Sequence, residues 1–139
     1  MHVDLASGHS IEITPITGLK AKHRDAYEGA PKIYMKFNEK GEPDMSGMPL
    51  SMSLAKLQRN ALMATLISGW TFRVDDEDVT SPILPIPKWT GMEIENDESF
   101  GEIPLDDFNE ITDLLQPYID KVVRKPDPKE TTTAGSTDA

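Results

Sequence analysis

The chain has no cysteine, so it offers no disulfide framework, no thiolate nucleophile and no cysteine zinc site. It has no apolar run near the 18 or so residues that a membrane span requires. Its first residues, MHVDLASGHSIEI, lack both the basic start and the apolar stretch of a secretory signal. These gaps predict a soluble protein that works in a cytoplasm. Aromatic residues are scarce, with two Trp, three Tyr and four Phe among 139 residues, which makes each Trp conspicuous. Basic residues are also missing from one region. Residues 71–119 hold 2 basic and 13 acidic groups, while residues 1–70 hold 8 and 7 and residues 120–139 hold 4 and 4. Acidity confined in this way argues against contact with a nucleic-acid backbone there. A basic partner and simple solubility both fit it.

What is present reads as one α+β domain over residues 1–125, followed by a tail at 126–139 that has no large apolar residue and is expected to be disordered. Ile11 and Ile13 alternate with Glu12 and Thr14, the period of a half-buried strand. The Ser7-Gly8 turn signal before them predicts an N-terminal β-hairpin. GLKAKHRDAYE, residues 18–28, reads as a short polar helix stopped by Gly29 and Pro31. Residues 32–38 fit either a strand or a helical turn. The connector MSGMPLSM leads to the strongest helical pattern, SLAKLQRNALMATLIS at 53–68, with Ser53 as N-cap and Gly69 as stop. At about 100° per residue, Leu54, Leu57, Ala61 and Ala64 form one apolar lane. Met63 and Ile67 continue the opposite lane of Lys56, Arg59 and Asn60, so they are expected on the surface. Trp70, Phe72 and Val74 alternate as a short strand. A second main helix is expected at 104–123, with Asp106 and Asp107 suited to its positive end. Pro117 should kink or break it.

Between these elements lies a long acidic, proline-rich loop at 75–103; Trp70 before it and Trp89 within it bracket four consecutive acids, Asp75 to Asp78. A helix–loop–helix calcium site would need Gly at the sixth position and Glu at the twelfth. Counted from Asp75 those positions are Thr80 and Ile86, so a solvated loop is the better reading. His2, His9 and His23 are not spaced as metal ligands and are expected on the surface. No G-x-S-x-G elbow or Gly-rich phosphate loop occurs, and Asp106 with Glu110 fits helix capping better than acid–base work. Neither catalytic residues nor a metal or cofactor site are expected. The candidate interface is Met63, Ile67, Trp70 and Trp89, since Trp is enriched in contact anchors and Met in adaptable surfaces. For Trp70 a core position is preferred. Self-association into a homo-oligomer is one use of such a surface.

The order of these features resembles the tail assembly chaperones of long-tailed bacteriophages, particularly those of actinobacterial hosts. QRNALMATLISGW (58–70) and PLDDFNEITDLLQPY (104–118) carry the likeness, which runs over roughly residues 1–125. The resemblance implies a non-enzymatic protein of the infected bacterial cytoplasm. It would coat the tape-measure protein, recruit tail-tube subunits and leave before the virion is complete. It also implies a longer form made by programmed frameshifting near the end of the gene. Two other readings use the same features: a structural virion component such as a head–tail connector or tail-completion protein, and an acidic nucleic-acid mimic that inhibits a DNA-binding enzyme.

Overall fold

The computed structural model describes residues 1–34, 36–44 and 53–123. Met35, the whole MSGMPLSM connector and the 126–139 tail lie outside the described residues.

Ile11 and Ile13 lie inward with Glu12 exposed between them, as their alternation requires. They belong to β2 (Ser10–Ile13), which pairs antiparallel with β1 (His2–Asp4) in the expected hairpin. The turn between them closes through the Leu5 N–H on the His9 carbonyl at 2.7 Å. Gly8 holds a φ of +99° there, a conformation that L side chains rarely adopt. After a 3₁₀ turn at Ile16–Gly18 comes helix α1 (Ala21–Gly29), and a further 3₁₀ turn at Ala30–Ile33. β3 (Lys36–Phe37) and β4 (Pro43–Asp44) make a small ribbon, so within the ambiguous 32–38 segment residues 32–34 form a turn and 36–37 a strand. Asn38 Oδ1 closes its loop by accepting from the N–H groups of Lys40 and Glu42, both at 2.9 Å.

Helix α2 (Leu54–Leu66) starts where its N-cap predicts, with Ser53 Oγ accepting the Lys56 N–H at 3.2 Å. Its end differs from the expected 68. Ile67 is already extended, and β5 (Ile67–Trp70) follows at once, with Gly69 inside the strand opposite Glu12. Pairing with β2 overrides the helical pattern, and the β-branched Ile67 accepts extended backbone readily. The resulting sheet runs β1-β2-β5, so β5 is an outer strand. The register steps from Glu12↔Gly69 to Ile13↔Ile67, which leaves Ser68 as the extra residue of a bulge.

The 75–103 region is less irregular than its composition predicts. It contains β6 (Lys88–Trp89) paired with β7 (Ile94–Glu95), and a 3₁₀ segment at Asp97–Glu102. Helix α3 (Leu105–Val122) then runs through Pro117 without a break. Pro117 and Asp113 are both exposed, so water can satisfy the Asp113 carbonyl that loses its helical donor. Ile111, Leu115, Tyr118 and Val122 form its buried stripe.

The fold is therefore mixed α+β, with three α-helices around an N-terminal sheet. Three polar contacts lash α3 to the hairpin side. Asp107, buried at the first turn, accepts from Ser7 Oγ at 2.5 Å; Glu110 accepts the Ala6 N–H at 3.0 Å; Tyr118 Oη donates to the Thr14 carbonyl at 2.7 Å. The acids at the helix start thus serve the fold, each donor–acceptor pair tying two elements distant in sequence.

Candidate protein-docking groove

Trp70 ends β5 with its side chain buried, and its ring meets Phe72 and Phe100 edge-on at centroid distances of 5.5 and 6.5 Å. Such edge contacts suit the aromatic quadrupole. The indole Nε1–H donates to the Leu84 carbonyl at 2.8 Å. Beyond Trp70 the chain continues extended and turns back on itself. Val74 N–H donates to the Pro82 carbonyl at 3.0 Å, and Leu84 N–H to the Phe72 carbonyl at 2.9 Å.

The acidic run is the tip of this returning segment, and its carboxylates build the turn. Asp75 accepts the Glu77 N–H at 3.1 Å, and Asp78 accepts the Thr80 N–H at 2.9 Å and its hydroxyl at 2.7 Å. Those bonds to Thr80 hold the Asp78 carboxyl below its ordinary pKa. Asp76 receives the Arg73 N–H at 3.3 Å and lies 3.0 Å from His9 Nε2. Among the described residues, no group of three or more His, Asp or Glu side chains could hold a metal ion.

Past Leu84 the return cannot continue alongside β5. Pro85 and Pro87 have no N–H to give, and the chain peels away to β6. Between the outer strand and the departing segment lies an open groove of about 750 Å³. Ile67 and the bulged Ser68 line its β5 side; Ile83, Pro85, Ile86 and Trp89 line the other. Lys88 and Asn96 stand on its margin. Seven of its ten lining residues are apolar, and Ser68, Lys88 and Asn96 are polar.

The four residues singled out in the sequence separate here. Ile67 and Trp89 meet on the groove, Trp89 half-buried and Ile67 forming part of the floor. Trp70 is in the core, as preferred. Met63 is only 1% exposed and Ile67 5%, which overturns the expectation that they share an exposed lane with Lys56, Arg59 and Asn60. The reason is that α2 is enclosed by α1, β5, β6 and the 30–33 turn, so that Asn60 itself is buried. A helix apolar almost all round needs such cover.

The histidines also depart from a uniform surface placement. His2 is exposed and bonds Glu12 and Asp4, which raise its pKa in that order. His9 is half-buried against Phe72, with ring centroids 4.7 Å apart. His23 is buried: its Nδ1 accepts the Lys20 N–H at 2.8 Å, closing the first turn of α1, and burial lowers its pKa. Sequence spacing has no term for this capping role.

Ile83, Pro85 and Ile86 were not expected to contribute to a site. Their signal is the stretch ILPIP, an apolar run inside an otherwise acidic loop. No helix among the described residues is long and apolar enough to cross a membrane. No protein-family model, curated protein or solved structure matches this chain.

Proposed function

We propose that this protein is a non-enzymatic tail assembly chaperone of a long-tailed bacteriophage, and that the β5 groove receives an apolar segment of the tape-measure protein. The observation that carries the reading is the groove itself: an apolar trough beside the outer strand of the sheet, joining Ile67 to Trp89. A trough of this form suits an elongated chain, with apolar side chains entering between Ile83 and Ile67 and the strand edge beside them. The phrases QRNALMATLISGW and PLDDFNEITDLLQPY supply the phage context by resemblance. The first forms α2 and β5, and so builds one wall of the groove.

On this reading the acidic 75–78 turn keeps the chaperone–client complex soluble while apolar client surface is covered. The protein acts in the cytoplasm of the infected bacterium, helps bring tail-tube subunits to the client, and leaves before the virion is complete. Co-expression with the adjacent tape-measure gene tests it. The wild-type chain should copurify with the tape-measure protein, and Ile83→Glu should lose it. Ile83 is 43% exposed, so this change places a charge in the groove without burying one in the core. Equal recovery with both proteins would count against the groove. No recovery with the wild type would count against the chaperone reading.

A further inference from the structure

A second pocket, of about 390 Å³, lies between α2, the 97–102 segment and the start of α3. Arg59 and Asn60 project into it from α2, with Asp97, Phe100, Leu105 and Phe108 around them. The Arg59 guanidinium is fixed in two ways. Its Nε and Nη2 donate to Asn60 Oδ1 at 3.2 and 3.1 Å, and its Cζ stands 5.1 Å from the Phe108 ring centre. Those bonds use two of its five N–H hydrogens, and among the described residues the terminal edge, with both hydrogens of Nη1, has no acceptor.

In a chain with 24 acidic and 14 basic residues, an arginine would be expected to find a carboxylate. Arg59 makes no ion pair among the described residues, where the ion pairs all involve histidine. It is half-buried, and burial lowers its pKa because the cation is poorly solvated. Asn60 is only 8% exposed; its Oδ1 takes both Arg59 bonds, and its Nδ2 makes no hydrogen bond among the described residues but is not sealed from solvent. The pocket thus presents oriented donors beside apolar walls formed by Phe100, Ile103 and Phe108.

We propose that this pocket binds a carboxylate carried next to an apolar group, the carboxylate on the free edge of Arg59 with Asn60 Nδ2 beside it, and the apolar group against Phe100 and Phe108. A guanidinium edge meets a carboxylate with two parallel hydrogen bonds. The ligand is a monoanion, because Asp97 lines the same pocket and Glu98 adjoins it, and a dianion would meet both. Asp97 limits affinity even for the monoanion. Its Oδ1 is buried without a partner among the described residues, and burial, then Glu98, pushes its carboxyl up. The same chemistry is found at a peptide C-terminus with an apolar last residue and at a glutamate beside one. This site is independent of the groove and of the proposed client.

Titration of the isotope-labelled full chain with N-acetylphenylalanine, followed by NMR, tests it. N-acetylphenylalaninamide serves as the uncharged control, and N-acetylglutamyl-phenylalaninamide as the side-chain acid. At least one acid should give saturable shifts at the Arg59 Nε–H, the Asn60 side-chain amide and Gly101, and the tighter acid identifies the source of the carboxylate. The uncharged amide should give none. Arg59→Lys should weaken binding by about tenfold. Asp97→Asn should tighten it. Saturation by neither acid, equal binding of the uncharged amide, or tighter binding in wild type than in Asp97→Asn would each overturn the proposal. The comparison of acid with amide uses the wild-type chain, so it stands even if a variant fails to fold.

Discussion

The Trp70 indole and the Leu84 carbonyl share a buried hydrogen bond of 2.8 Å across the root of the returning 72–84 segment. This bond fixes where the chain stops following β5 and where the groove begins. Trp70→Phe keeps most of the ring contacts with Phe72 and Phe100 but leaves the Leu84 oxygen without that donor. The expected loss is about 1–3 kcal/mol of stability. Urea unfolding measures it, and the denaturant slope should be unchanged. A variant as stable as wild type would mean that the indole N–H contributes nothing there.

Met63→Glu with Ile67→Glu should unfold the protein. Both side chains are buried in the core cluster, so two unpaired carboxylates would enter it. The cost should exceed about 4 kcal/mol, enough to abolish a marginal fold. Circular dichroism reads the outcome. A folded double variant would place these residues on a surface, as their helical lane first implied.

His23 makes stability depend on pH in a definite direction. Its folded pKa lies below the ordinary 6.5, burial being the main cause and Lys22 the next. The unfolded chain therefore takes up the proton first as pH falls. Stability from this residue is full above about 6.5 and is lost as pH drops from there toward the folded pKa. His2 acts in the opposite sense, since Glu12 and Asp4 raise its pKa. The readout is thus the difference between wild type and His23→Gln, and the variant should lose less stability over that range. Parallel pH profiles would contradict the buried position of His23.

Pro117 offers a stabilising change. It is exposed inside α3, where it removes an amide donor and crowds the preceding turn. Pro117→Ala should raise stability by about 1–3 kcal/mol, less whatever entropy the unfolded chain regains. Thermal unfolding checks the sign. A lower melting temperature would show that the proline ring is needed for packing.

The hairpin, α2 and α3 were legible because local signals and burial agree: Ile11 and Ile13 alternate, Ser53 caps, and Ile111, Leu115 and Tyr118 keep helical spacing. The α2–β5 junction was not, because Ile67 and Ser68 continue a helical pattern that only pairing with β2 overrides. The surface reading of Met63 failed for a related reason. A lane begun by Lys56 and Arg59 says nothing about the elements that enclose its far end. Two of the groove's lining residues, Ile67 and Trp89, were visible in the sequence. Ile83, Pro85 and Ile86 were hidden because they join the groove through the long-range contacts of Leu84 with Phe72 and Trp70.

The central claim is that the β5 groove holds a tape-measure segment, and site-specific photocrosslinking tests it most directly. A benzophenone amino acid at Ile83 faces the groove, and one at Val79, 81% exposed on the acidic turn, serves as control. In cells that express the tape-measure protein, position 83 should crosslink to it, mapping to an apolar stretch, and position 79 should not. Crosslinking at 79 but not at 83, or at neither while the two proteins copurify, would contradict the account.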